Sequence, residues 1–332
     1  MMEPQLSIQN LRIEYHTDKE VIHAVNGISF DLQEGESLGL VGETGAGKTT
    51  TALSILGLLP KPNGQIPEGS ILFQGKDLVK TSEAELRKIR GNRISMIFQD
   101  PMTSLNPIFT VGEQVSEALE IHLYVSRLEA EKRTAELLQL VGIPRTRMEE
   151  YPHQFSGGMK QRIVIAMALA CNPKLLLADE PTTALDVTIQ AQVLRMIRQL
   201  KYRMNTTLIF ISHDLGVVAQ ICDTLAIMYA GEIMEFGRLR DIFKHPLHPY
   251  TEGLFSSIPR IDRSQKRLAS IPGLMPDPSN LPSGCCFHPR CPYKQTICSV
   301  EVPMVTDLID RRVRCLRYQD SYKNYPWDKR GK

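Results

Sequence analysis

No stretch of this chain is apolar for long enough to cross a bilayer. The longest such run, residues 163–171, stops at Asn172-Pro173, far short of the roughly 20 residues that a membrane helix needs. Neither sign of charge predominates: the 332 residues carry a formal charge of +2, and charged residues make up 23%. That balance excludes a broad basic field, and with it nucleic acid as the main partner. The opening Met1-Met2-Glu3-Pro4 is polar and acidic, unlike the basic and then apolar start of a secretory signal. Internal repeats and low-complexity tracts are also lacking. The expectation is a soluble, cytosolic protein able to dock to a membrane protein, with one large domain and a small one.

What is present begins with Gly42-Glu43-Thr44-Gly45-Ala46-Gly47-Lys48-Thr49, the pattern G-x-x-x-x-G-K-[ST]. Its glycines let the backbone curl so that successive N–H groups point inward at phosphates, and a following helix adds its positive end. The run follows the apolar Ser37-Leu-Gly-Leu-Val41 and precedes a helix-period segment opened by Thr50. That strand, loop and helix context argues against an accidental glycine-rich turn. Lys48 is expected to reach the β- and γ-phosphates, Thr49 to offer its hydroxyl to Mg²⁺, and the loop amides to hold the remaining oxygens of ATP.

A second apolar strand, Lys174-Leu-Leu-Leu-Ala178, ends in Asp179-Glu180. Buried parallel strands read this way, and acids at the carboxyl end emerge beside the phosphates. Asp179 is expected to orient Mg²⁺ through its water shell and Glu180 to act as general base on the attacking water. The alternative is an acidic pair that caps the next helix, which Pro181 and the other motifs disfavour.

Ser156-Gly157-Gly158 precedes the apolar-rich segment 159–170 and so presents amides at another helix N-terminus, a second anion site that one phosphate loop does not need. ATP held between two subunits accounts for both. On these three motifs the chain resembles the ATPase subunits of ABC transporters, whose signature is commonly Leu-Ser-Gly-Gly-Gln where this chain has Phe155-Ser156-Gly157-Gly158-Met159. The resemblance implies that Gln99 is the Q-loop glutamine sensing Mg²⁺ and water, and that Ala184-Leu185-Asp186 is the D-loop crossing to the other subunit. It further implies that His213 is the switch histidine at the γ-phosphate and that Tyr15 stacks on adenine. For a single histidine or tyrosine, a packed or hydrogen-bonded structural role is the ordinary alternative; Tyr15 in particular could pack the sheet edge.

The pattern of elements predicts an α/β fold, a P-loop NTPase core with an edge antiparallel β-subdomain, an inserted α-helical subdomain and a small Cys/Pro-rich C-terminal extension. Strands are expected at residues 6–15 and 24–32, helices at 111–121 and 129–140, and a strand pair around Gly231. The expected divisions are a core of 1–98 and 166–236, a helical signature subdomain of 99–165, and an extension of 237–332 standing as a separate appendage. In that extension Pro246, Pro249, Pro259, Pro272, Pro276, Pro278 and Pro282 break the chain into short pieces.

Five of the seven cysteines, Cys285, Cys286, Cys291, Cys298 and Cys315, fall in the extension. Cys171 and Cys222 lie in apolar helix patterns and read as packing residues. Disulfides are disfavoured where ATP and reducing thiols coexist. Free thiols, zinc or an iron–sulfur cluster remain, and the spacing lacks the C-x-x-C pair usual in structural zinc sites. His245 and His248 sit among prolines, which favours capping or docking over ligation.

Gln99-Asp-Pro-Met-Thr-Ser-Leu-Asn-Pro107, His245-Pro-Leu-His-Pro-Tyr250 and Arg290-Cys-Pro-Tyr293 resemble the dipeptide/oligopeptide and nickel importer branch of ABC ATPases over nearly the whole chain. That resemblance implies a [4Fe–4S] cluster on Cys285, Cys291, Cys298 and Cys315, with Cys286 an extra thiol beside the first ligand. It implies two transmembrane permease subunits, a sister ATPase forming a heterodimer, an extracellular solute-binding protein, and a peripheral position on the cytoplasmic face of the membrane. Peptide uptake is the expected function; nickel import, an exporter, or a soluble ABC ATPase on ribosomes or DNA are the alternatives. The last would bring two cassettes, a long coiled coil or a basic arm, and none is visible.

Overall fold

The alternation of apolar and polar residues in the first strand is broken once, and the break shapes that edge of the molecule. In β1 (Leu6–His16) the buried apolar positions are Leu6, Ile8, Leu11 and Ile13, so one residue too many separates Ile8 from Leu11. Asn10 takes up the excess with a φ of 44°, and the pairing with β2 (Val21–Leu32) changes register between Ile8 and Leu11. A bulge of this kind keeps both apolar pairs facing inward. With β4 (Gly64–Phe73) and β5 (Lys76–Asp77) these strands form an antiparallel sheet ordered β2-β1-β4-β5. The computed structural model describes residues 3–183, 185–257, 271–322, 325 and 327; Ala184 and Pro259 lie outside them.

The larger sheet reads differently. β3 (Ser37–Val41), β7 (Leu175–Asp179), β8 (Thr207–Ser212) and β9 (Thr224–Tyr229) are buried at every position, as strands covered on both faces must be. With β6 (Ile94–Ile97), β10 (Glu232–Arg238), β11 (Thr306–Asp307) and β12 (Arg311–Val313) they are ordered β11-β12-β10-β9-β3-β8-β7-β6. From β6 to β9 the pairing is parallel. β3 lies between β8 and β9, which follow it late in the chain, so α1 (Lys48–Ile55) leaves the sheet where the strand order reverses. Crevices outside the carboxyl ends of strands at such a point receive ligands in open α/β sheets.

α2 (Glu83–Ile89) leads into β6, and four helices then separate β6 from β7: α3 (Pro101–Ser104), α4 (Val111–Leu123), α5 (Arg127–Leu140) and α6 (Gly157–Leu169). Their starts follow from local chemistry. Thr110 and Glu113 form a reciprocal capping box on α4, while Ser126 and Ser156 cap α5 and α6. α6 runs unbroken past position 166, so the boundary drawn there from sequence falls inside one helix. α7 (Val187–Met204) and α8 (Leu215–Ile221) complete the crossovers.

The C-terminal region is not the separate appendage expected from its prolines. After α9 (Leu239–Lys244) and α10 (Pro249–Ser256), the chain returns to pair β12 antiparallel with β10, Glu235 opposite Val313. Cys286 and Phe287 are buried in the same apolar core as Tyr229 and Tyr250. Short, proline-broken pieces cannot enclose a core of their own, and these bury their apolar side chains against the sheet instead.

Candidate nucleotide site

The backbone of residues 42–49 is forced tight by its neighbours. A Cβ on Gly42 would lie 2.2 Å from the carbonyl oxygen of Met228, and one on Gly47, whose φ is 96°, would lie 2.4 Å from that of Ala24. Only glycine allows β9 and β2 to come so close while the loop turns left-handed. Lys48 is buried at the start of α1, and its Nζ donates to the carbonyls of Gly42 and Glu43 at 2.8 and 3.0 Å. Burial pushes its pKa below the ordinary lysine value, against the opposing pull of Glu180, Asp179 and Glu43. Thr44, Gly45 and Thr49 are exposed, whereas Ala46 is buried.

Three side chains from three different strand ends converge on Glu180. Gln99 Nε2 donates to Glu180 Oε2 at 3.1 Å, Thr183 Oγ1 donates to the same oxygen at 2.9 Å, and His213 Nδ1 lies 2.9 Å from Oε1. Glu180 itself has a φ of 46°, and its N–H is fixed to the carbonyl of Ile211 at 2.9 Å. A non-glycine residue held there carries strain that the surrounding structure must sustain, a state common at functional sites. Burial works against its ionisation, but hydrogen bonds from His213 and Thr183 and the charge of Lys48 outweigh it and hold the carboxyl below its ordinary value. Asp179, 3% exposed, goes the other way. Burial raises its pKa, and the Glu180 charge adds to the rise, while a Thr49 hydrogen bond and Lys48 oppose it. An ionised carboxylate, a neighbouring polar amide and an imidazole directed at one point beside a phosphate-shaped loop can orient and deprotonate a water.

The remaining residues expected at the site lie in two further places. Tyr15 is half-buried beside the loop helix, its hydroxyl 3.4 Å from Thr50 Oγ1. Ser156 accepts the Met159 N–H at the start of α6, and Asp186 accepts the Ile189 N–H at the start of α7. Ile189 packs on Gly158, where a Cβ would approach it to 2.6 Å, whereas a Cβ on Gly157 would meet nothing within 4 Å. Gly158 is thus set against the first turn of α7, while Gly157 is left open.

Three residues at this site escaped the sequence reading. Thr183 completes the set around Glu180, Tyr250 accepts the Glu43 N–H at 3.0 Å, and Arg290 is paired with the Glu43 carboxylate at 2.9 Å. A hydroxyl three residues after an acid is a weak local signal; the contacts of Tyr250 and Arg290 carry none.

Cys285, Cys291, Cys298 and Cys315 line a single cavity in the extension, with Phe287 and Tyr293 among its walls. Burial pushes the thiols of Cys285 and Cys291 up to about 12 and that of Cys315 up to about 11. The backbone N–H groups of Phe287, Tyr293 and Arg317 donate to these three sulfurs. Cys286 turns elsewhere, donating to Glu232 at 3.1 Å. Among the described residues, no group of three or more His, Cys, Asp or Glu side chains is placed to hold a single metal ion. His248 caps α10 through its Nδ1, which accepts the Tyr250 N–H at 3.1 Å, and burial keeps the ring neutral with a pKa lowered to about 3.

Fold and site together define an ATPase cassette of the ABC transporter class. The ABC transporter family matches residues 25–183, and the C-terminal region of oligopeptide/dipeptide transporters matches residues 234–298. The chain is 50% identical to the oligopeptide transport ATP-binding protein AppD of Bacillus subtilis, covering 96% of this chain and 98% of that one. It is 52% identical to the dipeptide transport ATP-binding protein DppD of the same organism, covering 91% of each. Among solved structures, the dimeric ATP-binding cassette MJ0796 bound to ADP and phosphate superposes with a TM-score of 0.64 at 29% identity, over 71% of this chain and 99% of that one. The chain belongs to the ATP-binding subunits of the oligopeptide/dipeptide ABC importers, and it is an ATPase. No helix among the described residues is long and apolar enough to cross a membrane.

Proposed function

We propose that this chain hydrolyses ATP to energise the uptake of short peptides through two membrane-spanning permease subunits, working as a pair of cassettes at the cytoplasmic face of the membrane. The convergence of Gln99, Thr183 and His213 on Glu180 beside the phosphate loop is the observation that carries the catalytic part. Peptide is favoured over nickel as the solute because the match over residues 234–298 is to oligopeptide/dipeptide transporters.

In this reading Lys48 and the amides of Gly45 and of residues 47–49 hold the β- and γ-phosphates, the Ala46 N–H being taken by the Glu43 carbonyl, and Tyr15 stacks on adenine. Thr49 and Asp179 would hold Mg²⁺, which neutralises charge developing on the phosphates; a buried carboxylate resisting ionisation beside an exposed hydroxyl fits a cation that favours the charged form. Glu180, kept ionised, takes the proton of the attacking water as the bond from γ-phosphorus to ADP breaks. Gln99 and His213 orient that water and the γ-phosphate. Ser156, Gly157, Gly158 and Asp186 face the nucleotide of the opposing cassette, either a sister chain in a heterodimer or a second copy. Contacts to the γ-phosphate exist only in the closed pair, so hydrolysis releases it and biases the permeases between two states. A solute-binding protein outside the membrane supplies the peptide.

For the four-cysteine cavity the proposal is a [4Fe–4S] cluster rather than zinc. Thiolates on one zinc, each at about 2.3 Å, must gather more tightly than those at the corners of a cubane. Four cysteines that line one cavity, with no C-x-x-C pair in their spacing, support the cubane reading.

Glu180→Gln keeps the phosphate and Mg²⁺ contacts but lacks the base, so turnover should fall at least about 100-fold while ATP still closes the pair. The tagged variant, solubilised from native membranes with ATP, is expected to retain two multi-span permeases and a second ATPase. Wild-type turnover in the variant would refute the assignment of the base. Recovery of ribosomal or DNA-bound partners alone would refute the transport reading.

A further inference from the structure

The phosphate loop is held from a part of the chain that the nucleotide chemistry does not require. Arg290, 8% exposed, lies immediately before Cys291, and its Nη1 donates to both carboxylate oxygens of Glu43 at 3.1 and 2.9 Å. Its own position is fixed by Nε to the Pro272 carbonyl at 2.9 Å, Nη2 to the Ile271 carbonyl at 3.3 Å, and the Tyr229 ring 5.7 Å away. The Glu43 N–H is taken by the Tyr250 hydroxyl at 3.0 Å, and the Glu43 carbonyl accepts both the Ala46 N–H at 3.1 Å and Lys48 Nζ at 3.0 Å. Every polar group of Glu43 is therefore engaged. The Tyr250 hydroxyl and the Glu43 carbonyl thus take the N–H groups of Glu43 and Ala46 and fix the turn of the loop. Arg290 anchors the Glu43 side chain through one nitrogen that reaches both carboxylate oxygens, a charge-assisted contact, while its other two nitrogens are tied to backbone carbonyls.

We infer that Arg290 is a positioning residue for ATP binding: through Glu43 it holds the phosphate loop in its receiving conformation, so that the C-terminal extension sets the loop's affinity for ATP. This rests on the reading of residues 42–49 as the phosphate site. An unanchored loop samples other conformations, and apparent affinity falls with the fraction that is competent. The loss belongs to ground-state binding, since the groups around Glu180 are untouched; it therefore appears in KM for ATP rather than in kcat.

The test is equilibrium binding of a fluorescent ATP analogue with Mg²⁺ to the full-length chain, with Tm recorded alongside, for Arg290→Gln, Arg290→Lys, Glu43→Gln and the double Arg290→Gln/Glu43→Gln variant. Arg290→Gln is expected to weaken binding about 5–30-fold, Arg290→Lys to restore part of it, and the double variant to bind no more weakly than the worse single. In the reconstituted transporter Arg290→Gln should raise KM for ATP and leave kcat within about twofold. Unchanged affinity in Arg290→Gln at a lowered Tm would make the residue merely structural and overturn the inference, as would single losses that multiply in the double variant. Should Arg290→Gln not fold, Glu43→Gln decides alone, because that side chain is partly exposed: weaker binding supports the strut, unchanged binding rejects it. Lys48→Ala separates the two readings. Full binding in Lys48→Ala overturns the phosphate site and the strut with it, whereas lost binding there with full binding in Arg290→Gln overturns the strut alone.

Discussion

Asp179 sits at the end of a strand buried along its whole length, and the fold resists its charge. Because its carboxyl is raised above the ordinary value, chiefly by burial, the ionised form is less favourable in the folded chain than in the unfolded one. The associated stability is complete below the unfolded value of 3.8 and is lost as pH rises through the folded value. At neutral pH Asp179 therefore costs the nucleotide-free protein stability. Asp179→Asn should raise the Tm of that form by about 1–2 °C, the shift that roughly 1 kcal/mol produces in a chain of 332 residues. The gap from wild type should close as pH falls toward 4, and the Mg²⁺ needed for half-maximal ATPase should rise about 10–100-fold. Thermal melts across pH without nucleotide check the first part; a lower Tm in the variant would mean that the Thr49 and Lys48 interactions outweigh burial. At this scale Gln99, Asp179, Glu180 and His213 were legible because each stands at a recognisable strand end. Arg290 was not, since it meets Glu43 across 247 positions of chain and no local spacing encodes such a contact.

The start of α6 separates two glycines that a motif reads as equivalent. Gly158 faces Ile189 of α7, where a Cβ would intrude to 2.6 Å, while Gly157 faces open space. Gly158→Ala forces Ile189 off its packing and should cost about 1–3 kcal/mol, as overpacking does. Gly157→Ala meets no neighbour and should leave Tm unchanged or slightly raised, since alanine is the better helix former. If the open face receives the opposing nucleotide, Gly157→Ala should nonetheless lower ATPase about tenfold or more and weaken ATP-driven pairing. Melting curves and turnover measured on both variants check the separation; equal Tm losses would show that Gly157 is buried by something other than a cassette. Existence and type of the elements were readable from period and caps, as with Thr110, Ser126 and Ser156. The bulge at Asn10 was not, because a single extra residue in an otherwise alternating strand becomes visible only when the strand pairs. Nor was the unbroken course of α6, which carries the end of the helical insert and the approach to β7 in one element.

At the scale of the whole molecule, prolines and cysteines in the last hundred residues read as a detached tail, yet that region adds two strands to the core sheet and buries Phe287 against Tyr229 and Tyr250. Composition records where a chain breaks, not what the pieces pack upon. The integration has a consequence for the thiols. A cavity lined by Cys285, Cys291, Cys298 and Cys315 is walled by the same aromatic cluster that reaches the phosphate loop. Burial there holds at least three of the four sulfhydryls protonated at neutral pH, so any metal they bind must displace protons and stabilise the folded form by its binding energy. Protein purified without oxygen should be brown and contain about four irons per chain, and chelation or oxidation should lower its Tm. The adjacent thiols give the sharper contrast. Cys285→Ser should lose the colour and the iron, whereas Cys286→Ser should keep both, because Cys286 is turned to Glu232 and away from the cavity. Loss of iron in Cys286→Ser with retention in Cys285→Ser would reverse the ligand assignment, and stoichiometric zinc without visible absorbance would replace the cluster altogether.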